Sequence, residues 1–387
     1  DMQKLAVRIK PSNFKNYLLN NLNNGEIEKI FIDLKLDDDL KIDNYKLNGS
    51  IKEVDISASD NLLVKDVSLN FISDKNLTLI NSFNAKYKDI LISNGSFSLK
   101  REKQIVVEGK FNSKFNLNNN SINKLLSKVK LNFLENYKIN LKGSLLHNFS
   151  LKINENLELI DYDYKSKGNI LDSQIFFKNE LKSNFIEKPI KELLISKGDI
   201  SINLNKKRDN LLMFDGFYNL GGSENKKIKI SHDFNKKNPK YFIDFNLSEN
   251  IFLELINFKS NFKNASNIKS EIKLINNNII FDYIKFTEGK NLILINNLKF
   301  IKKKELISID SIEVKTTNND IQNNNFKISF KNKISASGNI FDATHLLKQF
   351  SGTSEKNYLK NYTKDIEINL KNLITKSQIP LKNFSLI

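Results

Sequence analysis

The residues able to do acid–base or metal chemistry in this 387-residue chain are few and scattered. His147, His232 and His345 are its only histidines, and it has no cysteine. No HxxxH or HExxH spacing joins the histidines, so no metal centre can be read from the sequence. His345 falls in an expected helix beside Leu346, as a cap-side or surface residue. His232 adjoins Asp233 in an expected polar turn. Asp37-Asp38-Asp39 lacks the alternating ligands and closing Glu of a calcium loop, and reads as a solvated turn. Gly221-Gly222 is a glycine doublet without a phosphate-binding frame, and neither G-x-S-x-G nor a Walker loop is present. No cofactor and no metal are expected, and an enzyme is the least supported class. The absence of Cys leaves the redox compartment open.

The formal charge of +17 raises nucleic acid as a partner, and the kind of charge argues against it. Arg8, Arg101 and Arg208 are the only arginines. Arg, not Lys, makes the bidentate phosphate and guanine contacts. Lys alternating with Asp, Glu and Asn describes the wet face of strands, although a basic surface also suits anionic lipid headgroups. Tyr and Phe share the strand phase of Ile and Leu, so core packing explains them better than base stacking. No nucleic acid is expected.

What positions these side chains is a succession of strand-like runs, each with one apolar and one polar face. Asp365-Ile366-Glu367-Ile368-Asn369-Leu370 is the clearest. The same alternation places Ile30, Ile32 and Leu34 on one face, then Ile139 with Leu141, and Ile200, Ile202 and Leu204. It returns in Ile228 and Ile230, Ile243 and Phe245, Ile272 and Leu274, and Phe326, Ile328 and Phe330. Alternation rather than continuous apolar runs predicts antiparallel pairing. About 20–25 strands are expected at ~8 residues each. Asn-rich breaks such as Asn118-Asn119-Asn120, Asn276-Asn277-Asn278 and Asn318-Asn319-Asp320 suit hairpin turns.

Helices are short plugs. One is expected over 12–24, following Pro11 and closed by Gly25, with a second over 121–128 capped by Ser121. A third is expected over 343–350, capped by Asp342, and Ser248 opens a run through Ile251, Phe252 and Leu255 that reads as helix or strand. A loose repeat of polar residue, Gly, any residue and apolar residue recurs at Gly95, Gly109, Gly143, Gly168, Gly198 and Gly338. It reads as a meander in which each strand starts afresh after a Gly.

The fold class is therefore all-β with a few short helices, and two forms are open. In a closed β-sandwich, protein seals the apolar face, and the function, structural or adhesive, lies in the loops. In an open trough something else covers that face. A charge at Ile368 is the substitution expected to separate the two.

The order of elements resembles the AsmA-like, YhdP-type envelope proteins. The resemblance rests on Pro11–Asn24 leading into Gly25-Glu26-Ile27-Glu28-Lys29-Ile30, and on Gly338-Asn339-Ile340-Phe341-Asp342-Ala343 before Leu346-Leu347. It also rests on Asp365–Leu370 followed by Pro380-Leu381-Lys382-Asn383-Phe384. The chain departs from that family in having no Trp. Asp1-Met2-Gln3-Lys4 does not open a signal peptide, and both ends read as cut from a longer protein. The resemblance implies one continuous long, curled antiparallel sheet over 1–387, forming an elongated apolar groove. It implies a bridge-like carrier of phospholipids between the inner and outer membranes of Gram-negative bacteria. Such a carrier would work in the periplasm, held at the inner membrane by an N-terminal segment outside this chain. On that reading the apolar residues named above line the groove. Carrying a ~16-carbon chain through water exposes methylenes at ~0.8 kcal/mol each, a barrier of about 12 kcal/mol that an apolar trough removes.

Overall fold

The computed structural model describes residues 22–38, 42–59, 62–125, 136–154, 156, 158–182, 185, 189–206, 210–221, 224–234, 239–247, 249–261, 265–276, 278–301, 305–346, 365–376 and 379–387. Within them the chain is all-β, with 25 strands, of which 23 are hydrogen-bonded into one sheet. Phe252–Leu253 and Phe258–Lys259 form a separate two-stranded ladder. The chain divides into two units, residues 1–176 with 195–212, and residues 177–194 with 213–387.

In the first unit successive strands pair antiparallel with their neighbours in sequence. The pairing runs from Glu26–Leu36 with Ile42–Ser59 to Tyr137–Ile153 with Leu159–Ile170, and Ile190–Asn205 then joins Leu159–Ile170. Register carries one row of directly opposed residues across nine strands: Ile30, Gly49, Phe71, Ile80, Phe97, Gly109, Phe149, Tyr164 and Leu204. Opposed residues in a ladder share a face, so the alternation seen in each strand adds up to one apolar surface.

A second row is made of backbone irregularities. Glu53, Asp66, Ser82 and Asn94 take positive φ of 53–55° on four consecutive strands, each where the register shifts. Each shift is a β-bulge, which bends its strand and increases the local twist. Side chains support these bends: the Glu53 N–H donates to Ser68 Oγ at 3.0 Å, and the Asp66 N–H to Asp55 Oδ1 at 3.2 Å.

The repeated glycines lie inside strands, not ahead of them, which corrects the meander reading. Gly109 sits within Ile105–Asn118 and Gly143 within Tyr137–Ile153. A Cβ on Gly109 would come 2.3 Å from the Phe97 ring and 2.7 Å from that of Phe149; one on Gly143 would come 2.6 Å from Phe115. The missing side chain is the space into which a neighbouring strand's ring folds, so glycine and aromatic together make a flush surface.

The second unit repeats the plan. Ile228, Phe245, Ile268, Phe286, Ile293, Val314, Phe326, Gly338, Leu370 and Phe384 form one row over ten strands. Ile334–Asp342 and Ile366–Ile374 depart from the antiparallel pairing of that row, running parallel and making the sheet mixed. A parallel pair requires a crossover between its strands.

The helices differ in detail from expectation. Of the segment 12–24, residues 12–21 lie outside the described residues, and Leu22–Asn23 form a strand paired with Asp55 and Ile56. The helix expected over 121–128 begins earlier, at Asn119, and is described to Leu125. Its cap is Asn118, whose Oδ1 accepts from the Ser121 N–H at 3.1 Å; Ser121 is inside the helix. Of the helix expected over 343–350, residues 347–350 lie outside the described residues. Asp342 Oδ1 accepts from the Thr344 N–H at 3.1 Å, as a cap would. Ser248 lies outside the described residues, and the run after it becomes the short strand Phe252–Leu253 and the 3-10 turn Glu254–Ile256.

Candidate functional site

Among the described residues, the apolar face of the first unit is built but not sealed. Its buried apolar residues are Val54, Val67, Ala85, Leu117 and Ile170, none of them aromatic. Phe71, Phe97, Phe111, Phe149 and Tyr164 all stay partly exposed, as do Ile139, Leu141, Ile200, Ile202 and Leu204. At the strand Glu26–Leu36 exposure is higher still, 36% for Ile30, 54% for Ile32 and 51% for Leu34. Each strand's main neighbours are the strands it pairs with, and the helix Asn119–Leu125 packs mainly on the two strands flanking it in sequence. Among the described residues of this unit, no second sheet is layered over the face. The rings pack on one another across the strands instead, Phe83 edge-on to Phe97 with centroids 5.0 Å apart and Phe97 tilted against Phe149 at 5.9 Å.

In the second unit the same face is partly covered. Residues 249–261 form a strap whose Phe258 is 1% exposed, packed with Phe286, Ile293, Val314, Phe326 and Leu370. Amides and carboxylates at the strand ends hold it. Asn324 Nδ2 donates to Ile256 O at 2.7 Å, Asn323 Nδ2 to Asn257 O at 3.0 Å, and Asn257 Nδ2 to Asp342 Oδ2 at 2.9 Å. Buried Glu288 accepts from the Asn261 N–H at 2.7 Å and from Asn291 Nδ2 at 3.0 Å. Every one of these groups desolvated by the strap gains a partner, which is what lets a polar segment lie over an apolar face.

Beside the strap the face opens into a cavity of about 650 Å³. Ile228, Ile230, Ile243 and Phe245 line it, with Leu247, Ile268 and Phe286 among others; Tyr218 and Glu249 are its polar members. Tyr218 is committed elsewhere, donating to Asn246 O at 2.8 Å.

All twenty apolar residues read from strand phase therefore lie on the apolar face of their own unit. Their surroundings differ. Ile272 continues the face in the row His232, Tyr241, Ile272, Phe281 and Leu298, with Leu274 opposite Ile279 in the next. Phe326 and Leu370 are sealed under the strap, and Ile328 and Ile368 pack against that cluster. Phe330 and Ile366 sit in an outer row with Ile334, and Ile366 is 44% exposed.

One histidine is not where the sequence reading put it. His232 lies in the strand Lys226–Asp233, on the apolar face, stacked on Tyr241 at 4.0 Å. Burial pushes its pKa down, against the pull of Asp233. His345 stands in a turn with Nδ1 buried and without a hydrogen-bond partner. His147 is buried on the face of the first unit, between Ser113 and Tyr164. Among the described residues no cluster of His, Asp or Glu is arranged to hold a metal. Nor is any described helix long and apolar enough to cross a membrane.

The opposite face carries the charge. Lys229 pairs with Asp215 at 2.9 Å, Lys269 with Asp244 at 2.9 Å and Lys315 with Glu313 at 2.7 Å. The first two pairs join neighbouring strands and the third lies along one strand; such partly exposed pairs contribute little stability and keep that face wet.

Comparison with known proteins gives no relative: no family model, no curated protein and no solved structure matches this chain.

Proposed function

We propose that this chain binds the acyl chains of lipids on the apolar face of its sheet and carries phospholipid along it, without covalent chemistry. The observation that supports this reading is the nine-strand row from Ile30 to Leu204, apolar but for its glycines and the Tyr164 hydroxyl, whose side chains no second layer covers among the described residues. A water-soluble domain normally hides such a face, because each Å² of apolar surface left in water forgoes about 25 cal/mol. Lipid tails are a non-directional partner that needs area rather than matched hydrogen bonds, and area is what the row offers. The 650 Å³ cavity of the second unit offers a more enclosed seat of the same chemistry.

On this reading, and with the element order that resembles AsmA-like proteins, the working place is the Gram-negative periplasm and the cargo moves between inner and outer membranes through a longer protein. A structural role has one observation in its favour, the Phe258 cluster sealed beneath the strap. That cluster belongs to the second unit, and among the described residues the face of the first has no such seal.

The test is extraction of lipid from vesicles. Phosphatidylethanolamine and phosphatidylglycerol vesicles carrying a trace of acyl-labelled fluorescent lipid are mixed with the protein, which is then separated by flotation. Label that leaves the vesicles with the protein in saturable amount supports the reading. Label that stays with the vesicles, while the protein remains folded and monomeric, overturns it.

A further inference from the structure

On the largely apolar face of the first unit, four polar side chains meet. Ser113 Oγ lies 2.7 Å from His147 Nε2, and His147 Nδ1 lies 2.7 Å from the Tyr164 hydroxyl. The imidazole stacks on Phe111 with centroids 4.3 Å apart. Ser166, opposite His147 in the ladder, is 1% exposed, and its Oγ completes no hydrogen bond of normal geometry although the Tyr164 phenol is close enough to feel it. Phe149, Leu145 and Ile202 are the neighbouring residues in the same rows.

Counting protons shows what this group lacks. A neutral imidazole carries one N–H. With the proton on Nδ1, it donates to Tyr164, Ser113 donates to Nε2, and the Tyr164 O–H is left over. With the proton on Nε2, it donates to Ser113, Tyr164 donates to Nδ1, and the Ser113 O–H is left over. Passing the Tyr164 proton to Ser166 only moves the surplus to the Ser166 hydroxyl. Either tautomer leaves a donor in want of an acceptor, in a place where an unmet donor is costly.

We propose that Ser113, His147, Tyr164 and Ser166 form a hydrogen-bond-donating station that takes the ester carbonyl of an acyl lipid lying on this face. The inference rests on the lipid-binding reading and adds to it the atom that is recognised. A neutral acceptor fits better than a phosphate, since no Lys or Arg belongs to the group. The distances would also suit a serine nucleophile and its base. However, Ser113 lies on an interior strand whose amides are used in ladders on both sides, leaving no pair of N–H groups to stabilise an oxyanion. The station therefore binds the ester and does not cleave it.

The experiment compares phosphatidylcholine carrying ester-linked chains with its ether-linked analogue of equal chain length, titrated against the whole chain. One hydrogen bond's worth of preference, roughly three- to tenfold tighter binding of the ester form, is expected. Replacing all four donors together, Ser113→Ala, His147→Phe, Tyr164→Phe and Ser166→Ala, should bring that ratio to one. A readout on the unaltered protein stands beside it: the infrared band of a 13C-labelled ester carbonyl should move to lower wavenumber on binding. Equal binding of the two lipids, with the carbonyl band at its dry position, overturns the station and leaves acyl-chain binding intact. Binding of neither lipid overturns both.

Discussion

Placing one carboxylate at two positions of the same strand phase, Ile32→Asp and Leu370→Asp, separates an open face from a sealed one. Ile32 is 54% exposed and Leu370 3%. Full burial of such a side chain is worth about 1.5–3 kcal/mol, so about 1 kcal/mol is at stake at Ile32, where the new carboxylate keeps its water. At Leu370 the loss of the buried side chain alone costs about 2–5 kcal/mol. The unpaired carboxylate then adds its desolvation, taking the total above ~5 kcal/mol. With a urea slope of about 2 kcal/mol per molar, the midpoints should fall by about 0.5 M and by more than about 2 M. Because the chain has two units, hydrogen exchange followed by mass spectrometry is the better assay. Peptides from Ile42–Ser59 report the first substitution and peptides from Ile366–Ile374 the second. If Ile32→Asp loosens its unit as severely as Leu370→Asp loosens the other, the first unit's face is covered by protein and the open reading fails.

Three further outcomes are expected. Phe258→Ala should cost the second unit about 3–5 kcal/mol, read from its unfolding midpoint; a loss below about 1 kcal/mol would mean that the strap does not seal the cluster. Gly109→Ala should cost about 1–3 kcal/mol and shift the ring resonances of Phe97 and Phe149, whose present positions leave no room for a Cβ. Burial lowers the pKa of His147, so the folded state favours its neutral form and binds fewer protons than the unfolded chain just below the ordinary histidine value. Its contribution to stability is thus complete above about pH 6.5 and is lost as pH falls below that. The slope of stability against pH in that window should flatten in His147→Phe, and an unchanged slope would contradict it.

Much of this surface was legible in the sequence because a strand has a period of two, and the phase of Ile200, Ile202 and Leu204 is visible without knowing their partners. Register was not. That Leu204 stands opposite Tyr164, or Ile30 opposite Gly49, depends on pairing alone. The glycines misled because Gly punctuates local structure more often than it makes room for a neighbour's ring. Glu53, Asp66 and Ser82 gave no sign of left-handed backbone, since the bulge row follows from ladder geometry and not from their propensities. Asn323 and Asn324 carry the signal of a turn, yet they lie in the strand Ile321–Phe330 and spend their amides on a strap more than sixty residues earlier. His232 looked like a turn residue because of Asp233; its ring is on the apolar face because its phase is that of Ile228 and Ile230. Ile368, chosen from its unambiguous phase as the place for a diagnostic charge, packs against the sealed cluster. Phase gives the face and says nothing of what lies over it, which is why Ile32 now takes that role.

The most direct measurement is mass spectrometry of organic extracts from this chain, purified without detergent from a Gram-negative host. Phospholipid should accompany the protein in amounts well above those carried by a closed β-sandwich control. Well-folded, monomeric protein that carries no more lipid than the control would contradict an accessible acyl-binding face.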